Sequence, residues 1–276
     1  LRAIAQVRPK VLVVNGGDGT VQAALTGLHL DDPFDGAPPP VAVLPNGKTN
    51  LIALDLGAEG DPIAALEQII TLARGDLSQH IVVRELIALS DGTEGAKPVL
   101  GMFLGGAGLA ATMLYCRHQI YPLGLPNGLS HVIAGFLAIF ANLLNLKAKF
   151  LPKRSQPMRI SFVRGGELQG SFAILIVTTL EKLLMGTQTS GGGLGKLRIM
   201  AVDNRPGALM QALGLAVAGK FGKQRSSGVH LEQDDSILIE GDDGSVILDG
   251  EVFHTTANHP ITLRSTPPVP FLKIAA

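Results

Sequence analysis

Two short runs of uninterrupted apolar residues stand near the start of the chain, Val11-Leu12-Val13-Val14 and Val41-Ala42-Val43-Leu44. Runs of this length without alternation mark strands covered on both faces. Each stops in a glycine turn, the first at Asn15-Gly16-Gly17-Asp18-Gly19-Thr20 and the second at Pro45-Asn46-Gly47. A helix from about Thr20 to Leu28 is expected after the first turn. Another follows the second, with Ile63, Leu66, Ile69, Ile70 and Ala73 at helical spacing. Between the two units, Asp31 to Pro40 holds four Pro and a Gly and must be loop. Two strand–turn–helix units in succession predict an open α/β sheet whose ligands sit at the carboxyl ends of its strands.

From about Ile81 the pattern changes to strands separated by turns. Ile81–Leu89, Val99–Leu104, Met158–Val163, Phe172–Thr178, Leu197–Val202, Ser236–Glu240, Val246–Leu248 and Ile261–Arg264 read as strands, with Gly241-Asp242-Asp243-Gly244 as a hairpin turn. Two helices interrupt them, near Leu129–Leu146 and Pro206–Lys220, the latter opened by a proline suited to a first helical turn. The expected fold is α/β plus β, with an α/β domain over residues 1–79, a mostly antiparallel β-sandwich domain over 80–276, and a cleft between them. Gly128 to Leu146 carries no formal charge, but Ser130, His131, Asn142 and Asn145 interrupt it. A membrane span needs about 20 predominantly apolar residues, so this stretch reads as a core helix of the second domain. The other reading is a lipid-facing helix, because Lys147, Lys149, Lys153 and Arg154 follow it and could meet anionic headgroups.

Charge narrows the function. With 23 Lys+Arg against 23 Asp+Glu the chain lacks the basic excess of a nucleic-acid binder. Its 276 residues are enough for one large core or two smaller ones. The single cysteine, Cys116, cannot form an intrachain disulfide, which fits a reducing, cytoplasmic compartment. Of the composition, glycine is the outlier: 34 residues, about 12% against a usual ~7%. A mean hydropathy of +0.31 excludes low-complexity disorder, so the glycines need individual explanations. The chain opens on Leu1 and runs directly into a helical turn and a strand, so a missing N-terminal segment is expected.

The glycine turns suggest chemistry. Gly16-Gly17-Asp18-Gly19-Thr20 joins a buried strand to a helix, where backbone N–H groups and the helix dipole favour an anion. Asp18 would repel a bare phosphate. An acid there makes sense if Mg²⁺ lies between it and the phosphates; otherwise it is a helix cap in a tight turn. Ala42 to Thr49 has the outline of a Walker P-loop but lacks its first glycine, and Pro45 has no N–H where a phosphate cradle needs one. Near the other end, Asp249-Gly250-Glu251 ends a strand with two carboxylates. These point to one side unless Gly250 turns them apart.

Taken together, Gly16-Gly17-Asp18-Gly19-Thr20, Pro45-Asn46-Gly47-Lys48-Thr49-Asn50 and Asp249-Gly250-Glu251 resemble the diacylglycerol kinase catalytic family of lipid kinases, which includes sphingosine and ceramide kinases. Phe103-Leu104-Gly105-Gly106-Ala107-Gly108 and Gly191-Gly192-Gly193 add to the likeness, which runs over nearly the whole chain. The resemblance implies a Rossmann-like nucleotide-binding domain and a β-sandwich, with ATP and Mg²⁺ in the cleft and a lipid alcohol as acceptor. It implies that Asp18 joins the Mg²⁺–phosphate network, with Gly16, Gly17, Gly19 and Thr20 near the phosphates. Gly47, Lys48, Thr49 and Asn50 would form the second nucleotide loop. Asp249 would be the general base and Glu251 its neighbour. Phosphoryl transfer is mostly positioning and charge neutralisation, so this set suffices.

The chain departs from the family pattern in places. Lys48 replaces a small hydroxyl residue, and Leu51 stands where Asp is common after the asparagine. Gly191-Gly192-Gly193 lacks the following Asp-Gly of many bacterial members, so their additional structural metal site is not expected. A ceramide-type acceptor is as plausible as diacylglycerol. Two other functions stay open: an NAD kinase, which shares the Gly-Gly-Asp-Gly-Thr turn, and a lipid-binding protein that kept the fold and lost catalysis. Expected partners are the lipid substrate and the inner face of the membrane by peripheral contact. No nucleic acid is expected, and a homodimer is left open. The seven histidines show no metal-ligand spacing.

Overall fold

A computed structural model describes residues 1–115, 156–181, 194–220, 226–242, 244–256 and 259–274. The expected helix Leu129–Leu146, the Lys147–Arg154 cluster, Gly191–Gly193 and Cys116 lie outside the described residues. Among the described residues the fold is mixed α/β with three sheets.

Strands β1 (Leu12–Gly16) and β2 (Val41–Pro45) are the two apolar runs, paired in parallel. Helix α2 (Asp18–Asp31) follows β1, and α3 (Leu51–Asp55) and α4 (Pro62–Arg74) follow β2. A short helix α1 (Arg2–Gln6) precedes them. Helix α2 starts two residues earlier than its apolar pattern predicts, so Asp18 lies inside its first turn. Helix α4 is capped by Asp61, whose carboxylate accepts from the Ile63 and Ala64 N–H groups at 3.2 and 3.4 Å.

Ile81–Leu89 does not form one strand. It divides into β3 (Ile81–Arg84), in the sheet of β1 and β2, and β4 (Ile87–Ser90), in another sheet. The first sheet also contains a strand with no counterpart in the sequence reading, β16 (Val269–Leu272), inserted between β2 and β3 to give the order β1-β2-β16-β3. Phe271, fully buried, pairs with Val41 in parallel and with Val82 in antiparallel.

The remaining strands form two six-stranded antiparallel sheets. One has the order β5-β4-β15-β12-β7-β8, with β5 Val99–Gly101, β15 Ile261–Ser265, β12 Ser236–Glu240, β7 Met158–Phe162 and β8 Glu167–Gly170. The other has the order β11-β10-β9-β6-β13-β14, with β11 Val229–Asp234, β10 Leu197–Asp203, β9 Phe172–Thr178, β6 Phe103–Gly106, β13 Gly244–Leu248 and β14 Glu251–Thr255. Alternate residues of both sheets, such as Leu89, Ile160, Ile237 and Leu263 from one and Leu104, Leu175, Ile199 and Val246 from the other, share one core. On the other face of the second sheet, Ile176, Met200 and Leu231 join the core of the α/β layer. Helices α5 (Ala107–Tyr115) and α6 (Pro206–Val217) also pack on this sheet.

The strand expected over Val99–Leu104 likewise changes sheet, at Met102. Gly241–Gly244 is not a hairpin turn, because β12 and β13 on either side of it belong to different sheets. The hairpin lies eight residues on, at Asp249-Gly250, where β13 and β14 pair in register with Leu248 opposite Glu251. Both turn residues have positive φ, 44° and 99°, which is the two-residue turn that Asp-Gly favours.

The chain passes between the first sheet and the sandwich at Leu86 and at Thr266. The Thr266 hydroxyl accepts from the buried Leu86 N–H at 2.9 Å, and the Thr266 N–H donates to the Leu86 carbonyl at 3.0 Å. Thr266→Val keeps the shape and strands the Leu86 N–H. The expected cost is about 1–3 kcal/mol of stability, read as a lower denaturation midpoint with an unchanged slope.

Candidate active site

Gly17 and Gly47, from the two glycine turns, meet backbone to backbone. A Cβ on Gly47 would lie 2.4 Å from the Gly17 Cα, and one on Gly17 would lie 3.2 Å from the Gly47 Cα. Only glycine fits at Gly47. The second turn is held by Asn50, at φ 55°, whose side chain accepts from the Gly47 N–H at 2.5 Å and donates to the Gly47 and Pro45 carbonyls at 2.9 and 3.3 Å. Asn46 reaches across to Asn15, donating from its amide at 3.0 Å.

Asp18 joins the two turns. Its carboxylate oxygens accept from the Leu51 and Ile52 N–H groups, both at 3.3 Å, so it caps α3 from the first turn of α2. Leu51, where the sequence departs from the family pattern, contributes its backbone N–H here, and its side chain is buried. Burial pushes the Asp18 pKa up, opposed in part by these N–H bonds. Each carboxylate oxygen retains a lone pair that a cation can use.

Asp249 reaches the same place from the other side. Its side chain is buried, with one oxygen accepting from the Met102 N–H at 2.8 Å and the other from the Phe103 N–H at 3.0 Å. Its own N–H donates to the Phe103 carbonyl at 2.9 Å. The Met102 carbonyl accepts from the Thr178 hydroxyl and the Thr179 N–H, so the bend that carries the two donors is itself held. Burial raises the Asp249 pKa to about 8, against the Met102 N–H bond; the nearby negative charge of Asp18 adds to the rise. Gly101 allows the approach, since a Cβ there would be 2.5 Å from the Asp249 carboxylate.

The structure therefore brings Gly16, Gly17, Asp18, Gly19, Gly47, Asn50 and Asp249 to one locus. A Cβ on Gly19 would touch the Asp249 carbonyl oxygen at 3.4 Å. Thr20 is exposed and packs on Gly16; Lys48 is exposed and Thr49 half-buried on the second turn. Glu251 does not share the environment of Asp249. It lies past the turn, exposed, where the sequence reading allowed the two acids a common direction. Two residues of the locus carried no motif: Gln22, buried on α2, and Thr26, one turn further. Their spacing with Asp18, i, i+4 and i+8, is the signal that could have found them.

A polyphosphate fits this cradle. The Asp18 and Gly19 N–H groups open α2, where no intrahelical carbonyl reaches them, and the Gly17–Gly47 contact leaves the main chain bare of side chains. Among the described residues no three His, Cys, Asp or Glu side chains cluster. Asp18 is the residue here that would hold a Mg²⁺, an ion commonly bound by one or two carboxylates together with phosphates.

Residues 1–79 match the diacylglycerol kinase catalytic domain family, which bears out the resemblance read from the motifs, and both glycine turns lie inside the matched stretch. No curated protein sequence matches the chain. A solved diacylglycerol kinase structure from Bacillus anthracis str. Sterne covers 99% of this chain and 79% of its own, with a TM-score of 0.58 and 17% identity. A second structure from that organism, provisionally named a diacylglycerol kinase, covers 96% and 78%, with a TM-score of 0.61 and 18% identity. Likeness at this identity establishes a shared fold.

Proposed function

We propose that the protein is an ATP-dependent lipid kinase that phosphorylates the primary hydroxyl of a diacylglycerol- or ceramide-type lipid. The observation behind this reading is the convergence of Asp18, in a glycine cradle at a helix start, with the buried Asp249 of a distant hairpin. A phosphoryl-transfer site needs a phosphate cradle, a metal-linked acid and a base, and these residues supply all three.

In this reading residues 1–79, completed by β3 and β16 from beyond the expected boundary, are the Rossmann-like nucleotide domain, the rest of residues 80–276 provides the β-sandwich acceptor domain, and the reaction takes place in the cleft between them. The N–H groups of Asp18 and Gly19 and the turn from Gly47 to Asn50 hold the nucleotide phosphates. Asp18 is the residue that would hold a Mg²⁺, which would supply charge neutralisation for the phosphates. Asp249 accepts the proton of the lipid hydroxyl as its oxygen bonds to the γ-phosphorus; the bond to the bridging oxygen breaks and ADP leaves. The raised pKa of Asp249 suits a base working near neutral pH. Glu251 belongs to the rim of the site.

A water-insoluble acceptor places the enzyme at the inner face of the membrane by peripheral contact. Gly95 to Gly166 contains eight Lys and Arg and no acid, and helix α6 exposes Met210 and Leu213, features suited to an anionic bilayer. Among the described residues no helix is long and apolar enough to cross a membrane.

The direct test incubates the protein with Mg²⁺ and γ-labelled ATP against micellar diacylglycerol, monoacylglycerol, ceramide and sphingosine, with NAD as an aqueous acceptor. Label is expected in a lipid phosphate. Label in NAD, or lipid binding without ATP affinity, would replace this reading with one of the two alternatives.

A further inference from the structure

Gln22 is buried on α2, and its side-chain amide donates to the Leu248 carbonyl at 2.8 Å, across 226 residues of sequence. Leu248 immediately precedes Asp249. One turn further along α2, the Thr26 hydroxyl accepts from the Leu100 N–H at 3.0 Å. Leu100 lies two residues before Met102, whose N–H is held by the Asp249 carboxylate. Burying a long amide costs both desolvation and rotamer freedom, which an aliphatic side chain on this helix face would largely avoid. What the polar pair adds is direction: two side-chain bonds to backbone groups fix α2 in rotation and in register against both strands that frame Asp249.

We infer that Gln22 and Thr26 are positioning residues, which set the separation between the phosphate cradle at the start of α2 and the carboxylate of Asp249. They act through the backbone groups of Leu248 and Leu100. Apolar packing alone would let the helix slide or rotate on the strands. With the two bonds, the residues that open the helix and the Asp249 turn move as one body. The consequence for catalysis rests on the reading of Asp249 as the base, whereas the mechanical link does not.

The test uses Gln22→Met, which keeps volume and removes the donor, and Thr26→Val, nearly isosteric, in the full chain. Amide exchange at Met102 and Phe103 is followed by NMR, together with kcat and KM for ATP. The inference expects exchange at these two amides to quicken about tenfold, with exchange in β9 and β10 unchanged. It also expects kcat to fall about tenfold while KM for ATP stays within about twofold. Unchanged exchange at Met102 and Phe103 in both variants overturns the link itself. Faster exchange with unchanged kcat leaves the link standing and overturns its role in the chemistry, while the assignment of Asp249 as base is decided separately by Asp249→Asn. A uniform rise in exchange across β9 and β10 shows a merely structural role and also overturns the inference. If Gln22→Met does not fold, Thr26→Val alone decides between these outcomes.

Discussion

Asp249→Asn is expected to lower kcat by about 10²–10⁴-fold and to leave nucleotide affinity nearly unchanged, because it removes the proton acceptor of the proposed reaction but not the glycine cradle. The amide keeps the shape of the carboxylate but can accept through only one atom. One of the Met102 and Phe103 N–H groups therefore loses its partner, and part of the fall reflects a shifted turn. The pH dependence separates the two contributions. In the wild type, activity should rise as Asp249 loses its proton and level off above about pH 8; in the variant this limb disappears.

Stability should show the opposite slope. The native state holds the Asp249 proton up to about pH 8, whereas the unfolded chain releases it near 3.8. Between these values the folded form binds more protons, so this contribution is full below about pH 4 and is lost as pH rises through about 8. In metal-free buffer the wild-type melting temperature, measured relative to that of Asp249→Asn, should fall across that window. A flat difference would mean that the carboxylate is ionised throughout.

The second large effect is expected at Gly47. Gly47→Ala puts a methyl 2.4 Å from the Gly17 Cα, and neither partner is a side chain that can swing away. The two turns must separate by about 1 Å or more, and displacements of that size cost about 10² in rate when they misalign reacting groups. The expected result is a loss of about 10²-fold in kcat/KM for ATP. The hydrogen bonds of Asn50 to the turn should loosen as well. Gly17→Ala, where the approach is 3.2 Å, should be milder. Equal activity of Gly47→Ala and wild type would remove the stacked turns from the nucleotide site.

The sequence disclosed the parts of this site that depend on local pattern. The runs ending at Val14 and Leu44 mark strands, so β1, β2 and the turns after them were legible, but only β2 is covered on both faces as expected; β1 leaves Val13 exposed. Asp249 was found as one member of a motif. Its burial and its N–H partners were not, because they come from a bend 146 residues away. Ile81–Leu89 and Val99–Leu104 look like single strands because apolar alternation carries no mark at Glu85-Leu86 or Met102, where the chain changes sheet. Strand β16 was hidden by Pro267, Pro268 and Pro270, which argue against a central strand. It is tolerated because β16 pairs with β2 at one position, Phe271 with Val41. Gly241–Gly244 and Asp249-Gly250 both carry turn residues; which one closes a hairpin depends on the sheets their neighbours join.

The insertion of β16 between β2 and β3 also governs when the first sheet can close during synthesis. A nascent chain that has emerged as far as Thr266 already possesses both glycine turns, Asp18 and Asp249, yet β2 still has an open edge and Val41 lacks the Phe271 side of its core. Pairing across so long a stretch of chain is slow to form and leaves strand edges uncovered meanwhile. The sheet that carries both glycine turns is thus closed only after the sandwich strands that precede β16 have been made.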